Sequence, residues 1–416
     1  MKIISIKLTP VAIPDVPLVN TKGVHQSVFL RTIIEVETDE GITGISETHG
    51  AKRTFNGLQQ AVNSLTGLDP FHLNDLRHRI ESALPDAGGI NAPTMLADHA
   101  VVDVVYSAFE LACLDIQGKL LSRPLSDLLG GAVRKEVKFG GYLFFKFAKP
   151  EDQPGDDMFG EVMSPETLVS QAETFSEQHG FTSFKLKGGV LEPELEIETI
   201  TRLRERFPEA PLRIDPMGAW RVPTAVKICE AIGSELEYLE DPVRGMDAMA
   251  ELAAKTDVPL STNLVVVDFE QAIDSIKRGA VHIILGDHHY WRGATGSLKL
   301  GELCRAAGLG LAMHSNTHLG VSLAAMVHVA AATPNLFYDC DTHYPWTAHD
   351  IIKGGKLKFE NGAIAVPEAP GIGVEIDQRA LQRFNDLYQS MGMTDREDTD
   401  EMRKYIPDYE RKVPRW

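Results

Sequence analysis

Two lysines one residue apart and three oxygen-bearing side chains downstream are the residues best placed to do chemistry in this 416-residue chain. Lys185 and Lys187 lie in Phe184-Lys185-Leu186-Lys187; Asp215, Glu240 and Asn263 each close a short apolar run. The spacing is roughly 25 residues, about one strand plus one helix. Residues that end consecutive parallel strands of a barrel meet at one rim. Three oxygens converging there are what a hard cation such as magnesium requires. Each residue alone also reads as a helix N-cap at a strand–helix junction; the set on three consecutive strands is what argues for a metal.

At positions i and i+2 of a strand, Lys185 and Lys187 share one face. Inside a barrel their ammonium groups repel and are desolvated, so each is expected to lose its proton more easily than a free lysine. Such a lysine serves as a general base near neutral pH. An exposed strand edge with solvated lysines is the competing reading. Asp287 ends a later run and His314 the next. A carboxylate one strand from a histidine can accept its ring hydrogen, fix the tautomer and raise its basicity, which would set a second acid/base group opposite Lys187. A satisfied core histidine is the alternative. His282, His288, His289 and His328 have no comparable spacing and read as structural or exposed. His314 and His318 would suit zinc only on a helix, and His314 reads as a strand end.

The elements that must position these groups follow from periodicity. Residues 1–132 read as α+β: alternating runs at Ile3–Ile13 and Val28–Val36, a strand at Thr43–Glu47, and a helix strongest from about Ala97 to Lys119. Residues 133–355 alternate strand and helix. Strands are expected at Val137–Leu143, Thr182–Lys187, Leu212–Asp215, Leu236–Glu240, Leu260–Asn263, Val281–Asp287, Leu309–His314 and Leu336–Asp339. Helices at Glu166–His179, Pro223–Ile232 and Leu319–Ala332 lie between them. Eight strands in alternation predict a TIM-type barrel. A doubly wound sheet is disfavoured because candidate functional residues end nearly every strand instead of gathering at one switch point. Residues 356–416 predict a hairpin, a helix over Asp377–Gln389 and an irregular charged tail.

A formal net charge of −18 argues against nucleic acid or an anionic membrane as partner. Four scattered cysteines without a Cys-x-x-Cys pair fit reduced, buried thiols. The N-terminus lacks a signal peptide's apolar region, and no stretch approaches a membrane span, so a cytoplasmic protein is expected.

Taken together these residues resemble the enolase superfamily, mandelate racemase branch, and most closely the glucarate dehydratase family. The resemblance is carried by Gly141-Tyr142-Leu143-Phe144-Phe145, Phe184-Lys185-Leu186-Lys187-Gly188-Gly189-Val190, Ala219-Trp220, Glu240-Asp241-Pro242 and Thr262-Asn263. Asp287 followed by His289-Tyr290-Trp291, His314-Ser315-Asn316, Asp341-Thr342-His343 and Pro370-Gly371-Ile372-Gly373-Val374-Glu375-Ile376 complete it. It implies an α/β fold: a modified (β/α)7β barrel under an N-terminal α+β capping domain completed by the C-terminal segment. It also implies a homo-oligomer acting on a small acid sugar. Mg2+ would sit on Asp215, Glu240 and Asn263. Lys187 would take the α-proton from one face and His314, oriented by Asp287, from the other. Lys185 and the metal would stabilise the enediolate, with Asn316 as amide donor. His314 would then release the β-hydroxyl as water. His25, Tyr142, Phe144 and His343 would line the substrate site, with Arg396 on the distal carboxylate of a diacid; a solvated charge in the tail is the other reading of Arg396.

One position departs from the family. Met217 stands where glucarate dehydratases carry an asparagine that touches substrate, and a thioether cannot donate a hydrogen bond. The residues leave three functions open: dehydration of glucarate or another sugar such as galactarate, racemisation or epimerisation, and a catalytically weak partner protein.

Overall fold

The structure, a computed structural model, describes residues 1–84, 101–153 and 155–416. β1 (Ile3–Pro14), the hairpin strands β2 (Val19–Asn20) and β3 (Gly23–Val24), β4 (Val28–Thr38) and β5 (Thr43–His49) open the chain. β1, β4 and β5 form an antiparallel sheet in that order. Helices α1 (Lys52–Leu65), α2 (Leu73–Ala83), α3 (Val101–Leu121) and α4 (Leu125–Leu128) come next. α3 is the helix expected from Ala97; residues 97–100 lie outside the described residues. α3 is apolar nearly all round and buried along most of its length, as a helix between a sheet and other helices must be.

The barrel region begins with β6 (Glu136–Lys138) and β7 (Gly141–Phe144) and continues through α5 (Pro165–His179), β8 (Phe184–Lys187), α6 (Pro193–Arg206), β9 (Leu212–Asp215) and α7 (Val222–Ile232). Then come β10 (Tyr238–Glu240), α8 (Gly245–Ala253), β11 (Leu260–Thr262), α9 (Phe269–Arg278), β12 (Ile283–Gly286), α10 (Gly293–Ala307), β13 (Gly310–Met313) and α11 (Gly320–Ala332). β7 to β13 are consecutive neighbours in a parallel sheet. The edges are joined by one bridge: Cys340 pairs with Phe139, and Asp341 N donates to Met313 O at 2.9 Å. The expected strand over Leu336–Asp339 is thus replaced by a single bridging residue just beyond it. The expected strand Val137–Leu143 is two, because Val137 pairs with Ile364 of β14 (Ala363–Ala365) before the chain turns at Gly140 to join the barrel.

The C-terminal segment returns to the cap. α12 (Gln378–Met391) lies on β1, where Asn385 Nδ2 donates to Pro10 O at 2.7 Å. The tail is less irregular than expected: α13 (Asp398–Met402) buries Met402, and Asn20 Nδ2 donates to Asp398 at 3.2 Å. Cap and barrel also join at α10, whose first N–H groups, Ala294 and Thr295, donate to Glu110 of α3 at 2.8 and 3.0 Å. A carboxylate there meets both the orphan donors and the helix dipole. All four cysteines are buried and unpaired. Among the described residues no helix is long and apolar enough to cross a membrane.

His328 on α11 is fully buried, with Ser126 N donating to its Nδ1 at 3.2 Å and its Nε2 facing Ile372 O at 3.1 Å. Burial pushes its pKa down to about 4 from an ordinary 6.5. Between those values the unfolded chain binds a proton that the folded chain refuses. Stability is therefore lost as pH falls through the window, by about 1.4 kcal/mol per pH unit for one such group. His328→Gln is expected to flatten the acid-side fall of stability by that slope, read from urea midpoints across the window. An unchanged slope would show that His328 charges within the fold.

Candidate active site

The rim at the strand ends is built by register. Lys187 of β8 stands opposite Asp215 of β9, and Glu240 of β10 opposite Ser261 of β11, two residues before Asn263. Lys185, Lys187, Asp215, Glu240 and Asn263 are all buried. Both lysines therefore point inward, as their alternation requires, and their ammonium groups lie 4.7 and 5.7 Å from the Tyr142 ring centre.

Their charge environment differs from the expected one. Lys185 Nζ bonds Asp341 Oδ2 at 2.6 Å and pairs with Glu240. Burial alone would lower its pKa, but the carboxylates of Asp341, Glu240 and Asp215 outweigh it and push it up. The expectation of a more easily deprotonated Lys185 is thus overturned: mutual repulsion of two lysines is weaker than attraction to three carboxylates. Lys187 Nζ sits on Asp215 Oδ2, which also accepts the Tyr142 hydroxyl at 3.1 Å, while Asp215 Oδ1 accepts Met217 N at 3.0 Å.

The three oxygen donors suit a cation. Glu240 Oε1 and Asn263 Oδ1 are buried and, among the described residues, have no hydrogen-bond partner. Burial, then the neighbouring carboxylates, push the Glu240 carboxyl well above its usual range in spite of Lys185. Orphaned buried oxygens of this kind are costly unless something positive meets them, and an all-oxygen set matches magnesium. Asp241, which the sequence reading quoted in Glu240-Asp241-Pro242 without a role, braces the strand end that carries Asn263. Its carboxylate accepts Thr262 Oγ1 at 2.5 Å, Asn263 N at 2.8 Å and Leu264 N at 3.1 Å.

On the other side, His314 Nδ1 faces Asp287 Oδ2 at 3.3 Å, as expected. Asp287 is not reserved for it. His289 bonds Asp287 Oδ1 at 2.8 Å, and His318 Nε2 lies 3.8 Å from Oδ2. Burial would raise the Asp287 carboxyl, yet the His289 ring and these hydrogen bonds hold it well below the usual range. His288 and His289 are fully enclosed, so His289 is more than a bystander; His282 is exposed. Asp287, His289 and His318 bring ligand atoms within 4.8 Å of one another. The Arg31 guanidinium, 3.3 Å from His289 Nε2, opposes a cation there. Residues 314–318 form a loop, so His314 and His318 lack the helical spacing that zinc would need.

A cavity of about 540 Å³ collects the remaining candidates. Lys187, Met217, Asn263, His314 and Asn316 line its floor, with Tyr142, Phe144 and His343 also in the lining. The His343 ring is 4.6 Å from Tyr142 and 5.2 Å from Phe144. Burial, then the charges of His25, Lys187, His314 and Lys185, hold its pKa well below normal. Asn316 Nδ2 donates to Tyr290 OH at 3.2 Å. The cap contributes His25, whose Nδ1 meets Asp15 Oδ2 at 3.0 Å, and Lys22. Arg396 also lines the cavity; it grips Asp398 through Nε at 2.8 Å and Nη2 at 3.1 Å, so it is not a loose tail charge. Asp341, quoted in the sequence only within the Asp341-Thr342-His343 motif and given no role there, is the counter-ion of Lys185.

Met217 has a left-handed backbone, φ 47°. That region costs an ordinary side chain about 1 kcal/mol and suits asparagine. Met217→Asn is expected to raise the unfolding free energy by about 0.5–1 kcal/mol in urea titrations. A loss instead would show that thioether packing outweighs backbone strain.

Two family models match the chain. Residues 3–130 match the mandelate racemase / muconate lactonizing enzyme N-terminal domain, and residues 167–380 match the enolase C-terminal domain-like family. A probable glucarate dehydratase from Streptomyces coelicolor is 44% identical over 100% of this chain and 99% of its own. D-galactonate dehydratase from Cronobacter sakazakii is 27% identical over 84% of this chain and 89% of its own. The crystal structure of an enolase from Pseudomonas fluorescens with bound magnesium, potassium and tartrate superposes with a TM-score of 0.96. It is 45% identical and covers 100% of this chain and 99% of that one.

Proposed function

The chain belongs to the mandelate racemase / muconate lactonizing enzyme family of the enolase superfamily, and from that premise we propose that it is a magnesium-dependent dehydratase of acid sugars, of the glucarate dehydratase type. The observation that carries this reading is the pair of buried, unpartnered oxygens of Glu240 and Asn263 beside Asp215, in reach of a cavity that holds Lys187 and His314. The similarity to a probable glucarate dehydratase and to an enolase solved with magnesium and tartrate, a hydroxy dicarboxylate, supports the substrate class.

Asp215, Glu240 and Asn263 would hold the ion, which when bound supplies positive charge for the substrate carboxylate and for the enediolate. Lys187 Nζ takes the proton α to the carboxylate from one face. Lys185, kept charged by Asp341 and Glu240, donates toward the oxygen on which negative charge grows. Asn316 supplies a further amide N–H to that oxygen. His314, with Nδ1 turned to Asp287, presents Nε2 to the opposite face and delivers a proton to the departing β-hydroxyl, which leaves as water. The product is a 4-deoxy-5-keto acid sugar. His25, Tyr142, Phe144, Met217 and His343 line the substrate, and Arg396 receives the far carboxylate. The organisation that goes with this chemistry is a barrel over 133–355, a cap over 1–132 and a returning segment over 356–416, in a homo-oligomer; the packing of α12 on β1 supports the return.

The test is a semicarbazide assay for ketoacid across mono- and diacid sugars, with magnesium and then with EDTA. Magnesium-dependent turnover of glucarate is expected. Turnover of another acid sugar would make Met217 the leading cause of changed specificity. Silence on every sugar, with α-proton exchange in D2O, would replace dehydration by epimerisation.

A further inference from the structure

The two oxygens of Asp287 are divided between histidines. Oδ1 accepts the main-chain N–H of His289 at 2.9 Å and its ring Nδ1 at 2.8 Å, which leaves Oδ2 to face His314 Nδ1 at 3.3 Å, with His318 Nε2 farther off at 3.8 Å. An ionised carboxylate only accepts, so His289 Nδ1 carries the ring proton. The other ring nitrogen, Nε2, lies 3.3 Å from Arg31 Nη2, and a guanidinium only donates. Ser322 Oγ, 3.0 Å from Nε2, can donate as well. Two neighbours could accept a proton on Nε2: the main-chain oxygen of Glu47, at 3.1 Å, and Ser322 Oγ when its own hydrogen turns to Glu47 O at 3.3 Å. The Arg31 guanidinium, which donates to Ser322 Oγ at 3.2 Å as well as facing Nε2, is the group that disfavours it. Arg31 cannot swing away: it is fully buried, and its Nε donates to Glu47 Oε1 at 2.6 Å. The same Glu47 carboxylate accepts Leu319 N and Ser322 N, each at 2.9 Å, at the start of α11. Cap strands β4 and β5 thereby reach the barrel's acid/base pair through one histidine.

We propose that Arg31 and His289 are positioning residues for Asp287 and His314: Arg31 holds His289 as the neutral Nδ1–H tautomer, so that Asp287 keeps Oδ2 and its negative charge for His314. The proposal deepens the dehydratase reading and rests on it for the role of His314. A doubly protonated His289 would neutralise Asp287 and leave His314 without a charged partner. The docking of the cap therefore tunes the His314 face, whereas Lys187, paired with Asp215 on β9, is outside the chain of contacts.

Two arms test this. In the first, the whole protein with 15N-labelled histidine rings is examined by two-bond 1H–15N correlation without substrate, His289→Asn serving to assign the signal. A bare Nε2 and a protonated Nδ1 are expected. A proton on Nε2, alone or with Nδ1, overturns the proposal whatever the enzyme acts on. In the second, α-proton exchange in D2O with magnesium is followed for glucarate and idarate, epimers at the carbon that would lose its proton. His289→Leu should slow exchange on the His314 face by about 10–100-fold and on the Lys187 face by under about threefold. His289→Asn, whose amide can replace the Nδ1–H donor, should recover most of that loss. Equal losses on both faces, or no rescue, make His289 merely structural and overturn the proposal. If the parent enzyme exchanges neither epimer, glucarate is not its substrate, and the tautomer arm decides alone.

Discussion

Lys187→Ala and His314→Asn are each expected to lower kcat for dehydration by about 10²–10⁴-fold, the usual contribution of a positioned acid or base. Magnesium affinity should not weaken in either. In Lys187→Ala the direction is the reverse: Lys187 Nζ sits on Asp215 Oδ2, so its removal frees a carboxylate oxygen and takes a like charge away from the ion. Calorimetric titration with magnesium and initial rates with glucarate check both halves. Asparagine at 314 can still reach Asp287, which faces the histidine Nδ1 at 3.3 Å, but cannot carry a proton. A variant with full activity removes its residue from the mechanism. A variant that loses metal binding along with activity would move that residue from proton transfer to ion binding.

Lys185→Met should be the most damaging single change to stability in the barrel interior. Its ammonium pairs with Glu240 and bonds Asp341 at 2.6 Å, and all three residues are at most 3% exposed. Deleting one partner of a buried ion pair leaves uncompensated charge and costs about 3–5 kcal/mol. Magnesium should recover part of this loss, because an ion that binds only the folded state stabilises by mass action. The rise in Tm on adding magnesium is then larger in the variant than in the parent. Thermal melts with EDTA and with magnesium measure both. A loss of under about 1 kcal/mol would mean that the carboxylates are content without the lysine.

Where a residue's position depends on its own strand, it could be read from the chain. Asp215, Glu240 and Asn263 close their runs, and Lys185 and Lys187 alternate on β8, so period and spacing were enough to bring them together. Asp287 and His314 were legible for the same reason. The protonation of Lys185 was not, because the group that sets it, Asp341, is 156 residues away. His289 was passed over because its partners, Arg31 and Ser322, come from the cap and from α11 and share no spacing with it. The eighth strand was misjudged by a residue or two: a single bridge leaves no alternation to detect. Arg396 could be matched by its position in the tail, but its grip on Asp398 depends on where α13 docks.

That one-residue seam has a consequence for how the enzyme can change. Directly after Cys340 the same short peptide carries Asp341 to Lys185, lays His343 against Tyr142 and Phe144, and sends Trp346 Nε1 to Tyr142 O at 2.8 Å. Charge balance at the bottom of the site and the aromatic wall of the cavity are therefore inherited as one cassette. Grafting a different wall to admit a new sugar would carry the counter-ion of Lys185 along with it. Successful exchanges should be those that keep an acidic residue at 341 and vary the aromatic positions downstream of it.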